Sequence, residues 1–155
     1  MGREIERKFL VNPVLWEPPN DKGLPIRQGY LAVTEKSAVR ARVMGEQGYL
    51  NIKRATLAIS RDEYEYLIPA PDAHEMLDTL CLGHLIEKTR YLVPYQGHTW
   101  EVDVFHGVNE GLVVAEIELA DPKDEFAAPP WVSDEVSHDP RYLNSSLSEL
   151  PYTMW

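Results

Sequence analysis

Cysteine is nearly absent from this sequence. Cys81 is the only one in 155 residues, which excludes an internal disulfide framework and fits a reducing compartment. Cys81 lies in an apolar run and reads as core packing rather than as a reactive thiol. Basic residues are in short supply too, with 15 Lys and Arg against 25 Asp and Glu and a net charge of −10. Proteins that grip a nucleic-acid backbone usually carry a basic face, so no nucleic-acid partner is expected, although a local basic pocket is compatible with the overall balance. No apolar run is long enough to span a bilayer and none reads as a signal peptide, so no membrane partner is expected and the expected compartment is the cytoplasm. Gly2 does not open a myristoylation motif, because Glu6 stands where Ser or Thr is required. Solenoid-length repeats and low-complexity tracts are also missing. What is present, 44% hydrophobic and 26% charged residues, suits a single domain over residues 1–155 with a sizeable core.

Turn signals cut the chain into short runs. Glu17–Pro25 ("EPPNDKGLP") is a loop, while Gly45–Gly48, Pro94–Gly97 and His106–Gly111 separate alternating segments as hairpin connections do. The segments between them have strand length: Ile26–Thr34, Ala38–Met44, Tyr49–Ala55, Asp62–Ile68, His84–Val93, Thr99–Phe105 and Leu112–Ala120. The opening "EIERKF", Glu4–Phe9, fits a helix as well as a strand when read alone. One helix is expected after "PAPD", capped by Asp72, with Ala73, Met76, Leu77, Leu80 and Cys81 at helical spacing and Gly83 past its end. Pro122–Pro130 reads as a linker, and "DPRYLNSSLSEL" can form a short helix or two.

The strands share a pattern. Glu4, Glu6 and Lys8 alternate with Ile5, Arg7 and Phe9; Arg40 and Arg42 alternate with Val39, Ala41 and Val43; and Lys53 stands opposite in phase to Ile52. Glu63 and Glu65, Lys88 and Arg90, Glu101 and Asp103, and Glu116 and Glu118 complete the series. This is strand periodicity, and it assigns "EIERKF" to a strand as well, making eight mostly antiparallel strands. Alternation by itself requires only a sheet with one solvated face. Yet the same-face pairs carry like charges, and residues two apart on a strand lie only about 7 Å from each other, so they repel unless something intervenes. Eight antiparallel strands can also close into a barrel, turning the charged face into a lumen and the apolar face into an outside covered by helices. The expected class is therefore α+β, predominantly β: an eight-stranded antiparallel closed β-barrel, or tunnel, with flanking helices. Eight carboxylates and six cations confined in this way need ligands or ion pairs. Carboxylates without His or Cys are hard-oxygen ligands suited to Mg²⁺ or Mn²⁺, and clustered Arg and Lys suit phosphate oxygens. Both in one lumen describe a site for a metal-complexed polyphosphate.

The same motifs resemble the CYTH domain, or triphosphate tunnel metalloenzyme, family. "EIERKF" is similar to its ExExK signature at Glu4, Glu6 and Lys8, and RxR at Arg40 and Arg42, Lys53, ExE at Glu63 and Glu65, KxR at Lys88 and Arg90, ExD at Glu101 and Asp103, and ExE at Glu116 and Glu118 follow in order. The tail "DPRYLN" resembles that of small bacterial members. The resemblance implies hydrolysis of a triphosphate by Mg²⁺ or Mn²⁺, with two ions. It implies cation ligation by Glu4, Glu6, Asp103, Glu116 and Glu118, and a phosphate grip from Lys8, Arg40, Arg42, Lys53, Lys88 and Arg90. Glu63, Glu65 and Glu101 would hold those basic residues in place. Catalysis is expected to centre on Glu4, Glu6, Lys8, Glu116 and Glu118, with no part for His74, His84, His98, His106 or His138. Asn51 departs from the Thr often found there. Tyr64, Tyr91 and Trp100 fall on the outer face, which leaves no evident platform for a base and favours inorganic triphosphate as the small-molecule substrate. Nucleoside or thiamine triphosphate hydrolysis, a class IV adenylate cyclase and a non-catalytic polyphosphate-binding module are the alternatives. The oligomeric state is open, as is closure of one mouth by the segment from Ser133, through Tyr142 and Asn144.

Overall fold

The computed structural model describes residues 2–155. The charged alternation is realised as β1 (Gly2–Val11), β2 (Leu24–Val33), β3 (Ser37–Met44), β4 (Gln47–Arg54), β5 (Ser60–Ile68), β6 (Leu82–Tyr95), β7 (His98–Phe105) and β8 (Val113–Glu118). Every neighbouring pair is antiparallel in the order β5-β4-β3-β2-β6-β7-β8-β1, and β1 pairs again with β5, so the sheet closes into a barrel. Two helices, α1 (Ala70–Thr79) and α2 (Asn144–Glu149), flank it.

A ninth strand, β9 (Val132–Glu135), lies in a segment that gave no strand signal. At four residues with three of them polar, it is too short and too charged to show alternation. Its place is dictated by β1: only Gly2–Ile5 pair with β5, and β9 takes the rest of that edge at Phe9 and Val11. Arg7, a charged residue among the apolar side chains of the outward row of β1, donates to Glu135 of β9 from Nε at 2.9 Å and from Nη2 at 2.6 Å. An edge that would otherwise present unpaired backbone groups is thereby covered.

Helix α1 begins at Ala70 rather than after Asp72. Pro69 is its cap residue and Pro71 sits in the first turn, where a fixed φ is already helical; Asp72 lies inside that turn, favourably placed for the helix dipole. Its buried Ala73 and Leu77 pack on Ala41 and Val43 of β3. The remaining outer wall is covered mostly by loops, not by helices as alternation had suggested. Ile5, Phe9, Trp100, Val102, Ala115 and Ile117 form one cluster under Trp16, Phe126, Trp131 and Val132. Trp100 is fully buried there, and Tyr91 meets Trp16 edge-on at 5.9 Å, so both pack outside the lumen. Cys81 packs beside the α1 cluster, where burial pushes its thiol up and away from the reactive thiolate.

The lumen is not charged along its whole length. Each inward row changes character along its strand: Ile86 precedes Lys88 and Arg90 on β6, Phe105 follows Glu101 and Asp103 on β7, and Val114 precedes Glu116 and Glu118 on β8. These apolar residues form one cluster with Tyr142 and Leu147 of the C-terminal segment, which fills that end of the barrel. Helix α2 is seated there by Ser148, whose hydroxyl donates to the carbonyls of Leu82 and His84 at 3.2 and 2.9 Å. Gly83 between them, which does not end α1 but lies in β6, has φ of +62°, and a β-carbon on it would stand 2.5 Å from the Ser148 carbonyl oxygen. Gly83→Ala is expected to lower stability by about 2–4 kcal/mol through the left-handed backbone and the clash. An unchanged denaturant midpoint would show that α2 does not depend on this close approach.

Candidate active site

Beyond the apolar floor the lumen opens into a cavity of about 650 Å³. Strand register, more than local sequence, decides which charges meet in it. Across β1 and β8, Glu6 stands opposite Glu118 and Lys8 opposite Glu116; across β8 and β7, Glu116 stands opposite Glu101. Two carboxylate pairs therefore sit directly across from each other, an arrangement that is unfavourable without a cation. Glu118 is raised above the usual carboxylate range by partial burial and by the charges of Glu4, Glu6 and Glu63. Among the described residues, no three side chains of metal-binding type already form a closed cage. Mg²⁺ is commonly held by one or two carboxylates together with substrate phosphates, so a lined wall of this kind fits it.

The opposite wall is cationic. Arg40 and Arg42 project from β3 with only 4% and 7% exposure, and neither has a carboxylate partner within ion-pair distance. Arg40 Nε makes no hydrogen bond at all. Arg42 is lowered to about 10 by burial first and then by Arg40 and Arg90, and it stays charged at neutral pH. Its Nε donates to Gln28 Oε1 at 2.9 Å, and Gln28 Nε2 donates to Asn144 Oδ1 at 3.3 Å. Lys8 Nζ donates to the Tyr142 carbonyl at 3.0 Å. The C-terminal segment thus closes one end of the tunnel and meets Lys8 directly and Arg42 through Gln28, with Leu143, Asn144 and Ser145 lining the cavity. Gln28, fully buried, was not distinguishable in the sequence as a site residue; its position in phase with the inward row of β2 is the one signal it gave.

The other expected site residues fall into three groups. Glu4, Glu6, Glu116 and Glu118 line the cavity, as do Lys8, Lys53, Lys88 and Arg90. Asp103 lies just behind this lining, engaged by the basic residues of β6. It is 1% exposed, Lys88 Nζ donates to its Oδ2 at 2.7 Å, and Arg90 reaches both oxygens at 2.8 and 3.0 Å. Burial alone would raise this carboxyl; the charges and hydrogen bonds of Lys88 and Arg90 outweigh it and hold Asp103 well below the usual range. Lys88 also lies over the Phe105 ring at 5.3 Å, at the junction of floor and cavity. Glu101 holds Arg90 at 2.6 Å, while burial and the charge of Glu116 push its own carboxyl up to about 7 despite Arg90. Glu63 and Glu65 hold no basic residue by a direct hydrogen bond; both accept from Asn51 Nδ2, at 2.6 and 3.0 Å. The amide found where Thr is usual thus bridges two like charges. None of the five histidines lines the cavity.

One residue that sequence reading passed over belongs here. Arg61 is the first inward position of β5, in phase with Glu63 and Glu65 and directly opposite Glu4 across the β1–β5 seam. The start of β5 was placed two residues too late, at Asp62, which hid it.

Asp103→Asn leaves two buried cations against a neutral amide, and it is expected to destabilise the fold by about 3–5 kcal/mol. Because the Asp103 pKa is depressed on folding, its stabilisation is complete above the ordinary carboxylate pKa and is lost as pH falls through the lowered value. Thermal unfolding from neutral to acid pH should show the gap between wild type and variant narrowing; a constant gap would contradict the ionised triad.

Comparison with known proteins identifies the family. The chain is 49% identical over 152 residues to an inorganic triphosphatase of Acetivibrio thermocellus, covering 98% of this chain and 97% of the relative. It is 37% identical over 150 residues to an inorganic triphosphatase of Nitrosomonas europaea, covering 94% and 96%. A crystal structure of an inorganic triphosphatase, 36% identical, superposes with a TM-score of 0.67 over 94% of this chain and 97% of the other. With the CYTH domain family model matching residues 2–151, and with the inward charge rows in the register described above, this chain belongs to the CYTH domain family.

Proposed function

We propose that the chain hydrolyses inorganic triphosphate to pyrophosphate and phosphate inside the tunnel. The observation that carries this reading is the pair of buried arginines without acid partners, Arg40 and Arg42, in a cavity whose other wall carries the carboxylates of β1 and β8. An orphaned guanidinium donor in a closed cavity is costly unless a ligand completes it, and phosphate oxygens match its geometry. The two inorganic triphosphatases that align along nearly the whole chain support the same substrate.

Arg40 and Arg42 bind the substrate and stabilise charge on the phosphoryl group being transferred, the part of this chemistry that a protein can supply most directly. Lys53, Lys88 and Arg90 add positive potential, with Lys88 and Arg90 oriented by Asp103 and Glu101. Lys8 stands between the two walls, 3.7 Å from Glu116. The apolar floor sets how deep a phosphate chain can enter and excludes water from that end, so the reacting centre is positioned rather than merely bound. Glu4, Glu6, Glu116 and Glu118 would hold the divalent cation, Mg²⁺ or Mn²⁺ and two ions in this reading. When bound, it supplies neutralisation of the phosphate oxygens and a water of lowered pKa. Asp103 serves this site as a positioning residue for Lys88 and Arg90.

Phosphate release from inorganic triphosphate, ATP and thiamine triphosphate, each with Mg²⁺ and with chelator, tests the assignment. Metal-dependent release from inorganic triphosphate well above the other two is expected. Tight binding without release would favour a polyphosphate-binding module, and pyrophosphate formed from ATP a cyclase. Glu116→Gln should reduce kcat at least about 100-fold with thermal stability retained, whereas Arg42→Ala should raise KM and lower kcat together by a combined factor of about 100–1,000 in kcat/KM. An Arg42→Ala enzyme with unchanged kcat/KM would remove it from the substrate grip.

A further inference from the structure

Ion pairs in the tunnel are of two kinds. Those around Asp103 and Glu101 lie at 2.6–2.8 Å, within hydrogen-bond distance. Arg61 behaves differently. Its Nε is 3.7 Å from Glu4 Oε2 and its Nη2 is 3.6 Å from Glu6 Oε1, both beyond a hydrogen bond. A guanidinium can fork one carboxylate with two parallel bonds; this one straddles two carboxylates and bonds neither. Glu4 is only 9% exposed, yet its Oε2 makes no hydrogen bond, and even Lys53 Nζ, at 2.8 Å, contacts it as a charge without hydrogen-bond alignment. The two carboxylates that β1 presents to the cavity are therefore neutralised while their lone pairs stay uncommitted.

We propose that Arg61 is an internal counter-ion, which neutralises Glu4 and Glu6 until a divalent cation binds and then gives way to it. The inference rests on the reading of Glu4 and Glu6 as cation ligands. A cation between these carboxylates repels the guanidinium a few ångströms away, and no hydrogen bond to either has to break for it to move. Since Arg61 lines the same cavity as Arg40 and Arg42, the displaced charge turns toward the phosphates and joins the cationic wall. Cation arrival and the phosphate grip are thereby coupled through one side chain. A purely structural arginine would instead be tied by hydrogen bonds, as Arg90 is.

The test is Mn²⁺ binding to the full chain without phosphate, followed by the paramagnetic resonance of the free ion. Arg61→Gln, which keeps reach and polarity but removes the charge, should bind Mn²⁺ about tenfold more tightly than wild type, and Arg61→Lys should stay near wild type. Arg54→Gln is the control for loss of any positive charge. It lines the same cavity but pairs with Asp62 at 2.8 Å, and its affinity should stay within about twofold of wild type. Equal or weaker binding by Arg61→Gln, or an equal gain in Arg54→Gln, overturns the counter-ion role and leaves the ligand assignment intact. If neither wild type nor Arg61→Gln binds Mn²⁺, the proposal falls, and if inorganic triphosphate does not restore binding, the assignment of Glu4 and Glu6 falls with it.

Discussion

Charges on alternate positions of a strand can be left in water, but closing the strand into a barrel takes that option away. Like-charged residues about 7 Å apart along each row are brought against the rows of neighbouring strands in a confined space, and the whole interior must then be solved as one electrostatic problem. The solution is uneven. Lys88, Asp103 and Arg90 form a buried unit joined by three hydrogen bonds. Glu6 with Glu118, Glu116 with Glu101, and the free pair Arg40 and Arg42 are left incomplete. A buried ion pair adds little to stability unless its geometry is complete; the incomplete part is the one a ligand can complete.

The division of the lumen follows from the same constraint. Inward rows that were charged from end to end would leave the barrel without an inner core. Ile86, Phe105 and Val114 supply that core at one end, and the C-terminal segment seals it with Tyr142 and Leu147. The seal is also polar at its upper surface: Tyr142 receives Lys8, and Asn144 reaches Arg42 through Gln28. Part of the phosphate grip is thus braced by residues more than a hundred positions away in the chain, which explains why a short tail with little regular structure belongs to the functional unit.

Two departures from expectation share one cause, that a residue's partner is set by register. Asp103 carries a carboxylate at the same alternate spacing as Glu116 and Glu118, and alternation alone does not separate them. It faces Arg90 across β6–β7, whereas Glu116 faces Glu101 and Lys8, and so one carboxylate is hydrogen-bonded by two basic side chains while the other is set beside a second carboxylate. Arg61 was overlooked for the complementary reason: without a strand partner it is one more surface arginine, and opposite Glu4 it is part of the site.

Strand periodicity and the like-charged pairs led from the sequence to the expectation of a closed antiparallel barrel with an inward charged face, and the resemblance of the ordered motifs to the CYTH domain family implied the triphosphate chemistry. The periodicity depends on local alternation, which every strand states for itself. The short strand β9, the loop cover of Trp100, the apolar floor and the roles of Asp103, Gln28, Asn144 and Arg61 were decided by tertiary structure alone. Each depends on which residue is opposite which across a seam or from the distant C-terminal segment, and alternation, having a period of two, is blind to register shifts of two.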